Sequence, residues 1–271
     1  MIGLGSNRLT VCRRGGMSVT QAGRGGMEWL AGWREPSWAS PYSALATAAL
    51  KDAFTAAQWA TIRDYGFAHP ALVPFINEDP MLVMSLIDGL GTRLLQSDGN
   101  CWIDTGIKPY SGIIIQAVFA SMSNDWTGFG ARIAWQNKMC GAQVNVGTGS
   151  LVVDTGNDRV TVSGAYQQGR EISVEINDST HKAKVNGTQY NISSVQPNDY
   201  NIFVFMTNNA GSPTNGASAR YKSFIIQGQR QLVPFFGATR TGMLDIRDLE
   251  HPEYLPKQGS GSFTISETPA S

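Results

Sequence analysis

Glu171-Ile-Ser-Val-Glu-Ile-Asn-Asp-Ser-Thr-His-Lys-Ala-Lys-Val-Asn-Gly-Thr-Gln-Tyr-Asn-Ile192 is the stretch that decides the fold. Ile172, Val174 and Ile176 alternate with Ser173 and Glu175, so a strand here buries one face and wets the other. Lys182-Ala-Lys-Val185 repeats the device. Asn186-Gly187 then supplies a two-residue hairpin turn, because both residues accept positive φ, and Gln189–Ile192 is the returning strand. Working outward, Arg159–Ser163 alternates in the same way. Further strands are expected over Gly112–Ala120, Ala131–Trp135, Gln143–Val146, Ser150–Val153, Asn201–Thr207, Ala219–Gln227, Gln231–Phe235 and Ser262–Ile265. Many short strands with no helical pattern between them predict an antiparallel two-sheet sandwich.

The chain of 271 residues carries 21 Lys+Arg against 21 Asp+Glu, with 15% charged and 42% hydrophobic residues. That composition supports globular domains with a core and argues against a disordered chain. A dedicated nucleic-acid binder would show a basic surplus, so no nucleic-acid partner is expected. The longest apolar runs, such as Met81–Ile87, fall far short of the roughly 20 residues that cross a bilayer. Cys12, Cys101 and Cys140 form no C-x-x-C pair, which removes a structural zinc site and a disulfide framework. Met1–Arg8 lacks the charged-then-apolar pattern of a signal peptide, so folding in a reducing cytoplasm is expected.

Residues 1–26 contain four Arg, seven Gly and no acid. They read as a flexible arm that gains order against a partner subunit. Residues 27–86 read as a helical attachment region. Pro41–Phe54 is Ala-rich, Thr55-Ala-Ala-Gln58 has capping-box spacing, and His69-Pro70 and Asp79-Pro80 each place a capping residue before Pro at a helix start. Trp29, Trp33, Trp38 and Trp59 crowd this region as core or interface anchors. The third segment, residues 87–271, is the sandwich.

Leu94-Leu-Gln-Ser-Asp-Gly-Asn-Cys-Trp-Ile-Asp-Thr-Gly-Ile-Lys-Pro109 resembles the opening strand of concanavalin A-like, laminin-G-like jelly rolls found in gut bacteriophage virion proteins and some bacterial surface proteins. Phe129-Gly-Ala-Arg132, Ile202–Phe205 with Asn208-Asn-Ala-Gly211, Ala219–Ile226, Leu232-Val-Pro234, Gly242-Met-Leu-Asp245 and Gly259–Phe263 match later segments in the same order. The likeness covers residues 87–265, departs at Ile246-Arg-Asp248 and His251-Pro252, and leaves the first 85 residues unmatched. It implies a mainly β protein, a concanavalin A-like jelly-roll sandwich preceded by the Gly/Arg-rich arm and a small helical region.

Jelly rolls of this class include glycosidases, which need two carboxyl groups about 5–5.5 Å apart when retaining. Glu171 and Glu175 share a strand face, yet at ~3.3 Å per residue they lie about 13 Å apart, which suits a solvated face rather than catalysis. His69, His181 and His251 have no triad or metal partners in sequence. Cys140 reads as a small buried apolar residue. Gly147-Thr-Gly149 is a turn and not a phosphate cradle. Asp154, Asn157 and Asp158 offer three oxygen side chains within five residues, either a calcium donor set or ordinary turn chemistry. For sugar, the candidate aromatic platforms are Trp126 and Tyr166, with amides Asn208, Asn209 and Asn215.

The resemblance implies a non-enzymatic bacteriophage virion protein: a head-fibre, decoration or tail-associated part. It would dock on other virion proteins through its N-terminal region and display loops, with host-surface glycan as an expected ligand. Particle symmetry favours a homo-oligomer, expected to be a trimer. The chain would fold in the host cytoplasm and end in the virion, with no cofactor. The alternative is a bacterial carbohydrate-binding surface module; a glycoside hydrolase ranks third.

Overall fold

The computed structural model of the protein describes residues 56–87, 93–123, 126–237 and 239–267. The 1–26 arm, the 41–54 helix, Trp29, Trp33, Trp38, Cys12 and Thr55 of the capping box lie outside the described residues. The chain divides into two compact units. One comprises residues 1–88, 236–239 and 248–252; the other comprises 89–235, 240–247 and 253–271.

In the first unit the described elements are helices α1 (Ala56–Ala68), α2 (Val73–Glu78) and α3 (Met81–Ile87), with a 3-10 turn over Pro70–Leu72. Pro70 opens that turn, where its missing N–H costs nothing. His69 makes no side-chain capping bond there. It acts instead through its carbonyl, which accepts Leu72 N–H at 3.0 Å. The Asp79 carbonyl likewise accepts Leu82 N–H at 3.0 Å, while its carboxylate takes Phe236 N–H at 3.0 Å. Ile62, Leu72, Val73, Ile76, Leu82 and Val83 are fully buried. Among the described residues no helix is long and apolar enough to cross a membrane.

The second unit is built of strands. In chain order they are β1 (Arg93–Ser97), β2 (Cys101–Asp104), β3 (Ile114–Ser121), β4 (Thr127–Arg132), β5 (Met139–Asn145), β6 (Ser150–Gly156), β7 (Asp158–Ser163), β8 (Ile172–Asn177) and β9 (Lys182–Val185). There follow β10 (Thr188–Asn191), β11 (Phe203–Val204), β12 (Thr207–Asn209), β13 (Ser212–Thr214), β14 (Ala219–Ile226), β15 (Arg230–Phe236), β16 (Thr241–Asp245), β17 (Glu253–Gly259) and β18 (Phe263–Glu267). The first sheet runs β18–β1–β14–β3–β8–β9–β10, with β15 beside the second half of β14. The second runs β17–β2–β11–β4–β5–β6–β7. Pairing is antiparallel except that β12 runs parallel to β4. β17 pairs β16 with its first half and β2 with its second, so one strand serves both sheets.

The fold is the expected antiparallel sandwich, and its core is aromatic. Phe129 of the second sheet meets Phe119 and Phe224 of the first, edge-on, with ring centroids 6.1 and 5.1 Å apart. Phe119 also stacks on Tyr221 at 5.0 Å. Such pairs add about 0.5–1.5 kcal/mol each beyond the burial of their surface. Cys140 lies in this core, where burial, and next the charge of Asp178, push its thiol up to about 12.

Three expectations are corrected. The segment 94–109 is two strands and not one, because Gly99 (φ 97°) turns the chain between β1 and β2. Ala131–Trp135 is not a strand: β4 stops at Arg132, and Gln136 and Lys138 adopt φ of 55° and 47° in a tight turn closed by an Ala134–Asn137 bridge. Asn201–Thr207 reverses direction at Phe205, whose φ of 77° ends β11 and sends β12 back along β4. A bulky residue in that region costs about 1–3 kcal/mol. Phe205 is fully buried against Tyr221 and Phe263, at 4.6 and 4.8 Å, a packing gain of the same order.

Candidate functional site

Alternation along β4 sends Phe129 and Ala131 into the aromatic core, and so Gly128, Gly130 and Arg132 to the other side of the second sheet. The ladder β4–β5–β6–β7 then sets Arg132, Gln143, Asp154 and Arg159 on that same side. Glycines make the floor. A Cβ on Gly128, Gly130 or Gly141 would stand 2.0–2.5 Å from backbone oxygen of the facing strand, so no other residue fits.

The polar side chains on this floor form one network. Arg159 donates through Nε to Asp154 Oδ1 at 2.8 Å and through Nη2 to Oδ2 at 3.2 Å. Gln143 donates to the same Oδ2, and Asn215 donates to Gln143 Oε1. Arg132 donates through Nε to Asn209 Oδ1 at 3.0 Å. Asp154 is 5% exposed, Gln143 1% and Arg132 8%. Arg132 Nη1 is buried and has no hydrogen-bond partner. Above the network stands Trp135, 51% exposed, with the Arg159 guanidinium 3.8 Å and the Arg132 guanidinium 5.5 Å from its ring centre.

Burial sets the electrostatics. It pushes the Asp154 carboxyl above its ordinary value, against the opposing pull of Arg159, Gln143 and Arg132. It likewise pushes Arg132 below the ordinary guanidinium value, Asp154 acting in the other direction. A guanidinium still keeps its proton at neutral pH. Two guanidiniums thus stand beside the Asp154 carboxyl, and Arg159 is the one paired with it.

The residues expected from sequence divide between places. Asn209 and Asn215 belong to this network. Asn208 does not. It is 3% exposed and holds the β12–β13 turn, accepting Gly211 N–H at 2.8 Å and donating to the Asn201 carbonyl at 2.9 Å. Tyr166 is half-buried and spends its hydroxyl on the Ser123 carbonyl at 3.0 Å, so it is no open platform. Trp126 precedes β4 at the end opposite Arg132, about 20 Å away at ~3.3 Å per residue. The calcium donors do not converge. Asp154 is taken by Arg159, Asn157 accepts Lys138 N–H at 3.1 Å, and Asp158 turns to Ser193 Oγ at 3.0 Å. Among the described residues no group of three or more His, Cys, Asp or Glu is placed to hold a metal ion. Sequence reading missed Trp135, Arg132, Gln143 and Arg159, whose only signal is the register that gathers them.

The glycosidase strand resolves into ion pairs. Glu171 meets Lys222 at 3.3 Å, and Glu175 meets Lys184 at 3.0 Å and Gln116 at 2.9 Å. His181 is the left-handed cap (φ 53°) of the turn Asp178–Thr180, and exposed His251 bonds Asp248 at 3.0 Å.

Fold and site together define a two-sheet β-sandwich that carries a desolvated polar network beneath an exposed indole. No protein-family model matches the chain, and no curated protein matches it. Among solved structures, the mouse laminin alpha1 chain, domains LG4-5, is similar at 14% identity and a TM-score of 0.36, over 64% of this chain. The chain spans less than half of that structure's length, 46%.

Proposed function

We propose that the protein is a non-enzymatic recognition module that binds glycan on the outer side of its second sheet. The observation that carries this reading is Trp135, an exposed indole braced by Arg159 over buried amides and charges. A sugar's C–H face stacks on such a ring, while the half-buried Arg159, Asn209 and Asn215 of the network meet its hydroxyls. The carboxylates favour binding over hydrolysis, since Asp154, Glu171 and Glu175 are each held by a separate cation. The test is a glycan array with the full chain and Trp135→Ala. We expect selective binding that falls about tenfold or more in the variant, the scale of a lost aromatic anchor. Silence of the parent protein across the array would remove the reading.

The particular role is that of a bacteriophage virion component, a head-fibre, decoration or tail-associated part. It would fold in the host cytoplasm, dock on other virion proteins through its N-terminal region and assemble as a trimer. The ordered run of segments from Leu94 to Phe263 that resembles virion jelly rolls supports this role. Mass spectrometry of purified particles should find the polypeptide in a copy number set by particle symmetry. Its absence from particles would shift the assignment to a bacterial surface module.

A further inference from the structure

Arg132 is nine-tenths buried, its Nε is committed to Asn209, and its Nη1 has no acceptor. A buried charged donor left without a partner is costly, and native proteins rarely keep one. The neighbouring charges leave it short. Both Asp154 oxygens are occupied by Arg159 and Gln143, so that carboxylate is spent on the other guanidinium. Asp158 is turned away to Ser193. The exposed ring of Trp135 stands over Arg132, its centre 5.5 Å from the guanidinium.

We infer that Arg132 is an anion anchor, and that the glycan bound beside Trp135 is an acidic one whose oxyanion pairs with its guanidinium. The inference rests on the glycan reading above and names the ligand class. A uronate carboxylate and a sulfate ester share the required chemistry, an oxyanion projecting from a sugar ring that stacks on the indole. The Asn209 contact fixes the guanidinium for this role, and Asp154 keeps Arg159 from competing.

The experiment titrates the full chain with three probes: oligogalacturonate, its methyl ester, and a sulfated galactan oligosaccharide. The methyl ester removes the charge and keeps the sugar. We expect one acidic probe to bind at least about tenfold more tightly than the ester, the range of a charge-assisted hydrogen bond. Which acid binds distinguishes carboxylate from sulfate. In Arg132→Met that preference should vanish while residual binding of the ester persists. Arg132→Lys keeps the charge but loses the Asn209-fixed fork, and should retain part of the preference; it serves if the Met variant fails to fold. Equal binding of acid and ester by the parent protein would overturn the acidic-ligand inference and leave glycan recognition standing. Silence toward all three probes, with silence on the glycan array, would remove both. An acid preference that survives in Arg132→Met would also overturn it, by placing the anion elsewhere.

Discussion

The Asp178 carboxylate, 3% exposed, accepts backbone N–H from Gly112 and from Val195, each at 2.6 Å. Two loops that would otherwise bury bare donors are tied to one side chain. Removing it leaves both donors unmet, and a hydrogen bond to a charged group is worth about 1.5–3 kcal/mol. Asp178→Ala should therefore lose about 3 kcal/mol or more in urea denaturation; a loss below about 1 kcal/mol would show that water replaces the carboxylate. Asp178→Asn should fall between, since its amide presents one acceptor and one misplaced donor. Nothing in Asn177-Asp-Ser-Thr180 distinguishes this residue by sequence from any turn Asp, and its role exists only because Gly112 and Val195 arrive there. The same holds for Arg132. The segment Phe129-Gly-Ala-Arg132 is visible as a strand, but its arginine is short of a partner only in the folded ladder.

At the scale of elements, β8 and β9 are readable because one face of each meets water, and β10 because the Asn-Gly turn returns the chain beside β9. Ile172, Val174 and Ile176 are buried, and their neighbours Ser173, Glu175 and Asn177 are not. The Asn186-Gly187 turn forms as expected, with φ of 49° and 84°. Across these strands Gln116, Glu175 and Lys184 stand in register on the wet face. The Gln116 amide first, and then Lys184, hold the Glu175 carboxyl below its ordinary value. Its folded pKa lies under its unfolded one, so the stabilisation is fully present above the unfolded Glu value of about 4.3 and is lost as pH falls through the lower folded value. Gln116→Leu should make the protein lose less stability on acidification below about pH 4.3 than the parent does, measured as the shift of the denaturation midpoint with pH. An identical pH profile in the two proteins would show that the pair contributes nothing. Strands β4, β5 and β6 gave no such pattern. They are buried on both faces, so Thr127-Gly-Phe-Gly-Ala-Arg132 shows no polar alternation and its start was missed.

At the scale of the molecule, the candidate site joins β4, β5, β6 and β7 with Asn209 and Asn215, which enter from the β12–β13 segment and the turn after it. These residues span positions 132 to 215 and come together through strand register and the reversal at Phe205. The sandwich itself could be read without that knowledge. Period-two burial, turn glycines and the Asn-Gly hairpin are local consequences of backbone geometry and of apolar side chains leaving water, and they are written wherever a strand has one dry face. The sequence by itself thus determined the fold class and most of the strands. Only the tertiary structure decided which polar groups lose their water together. A charge becomes short of a partner through the company it keeps in space, and neither its residue type nor its neighbours in the chain record that company.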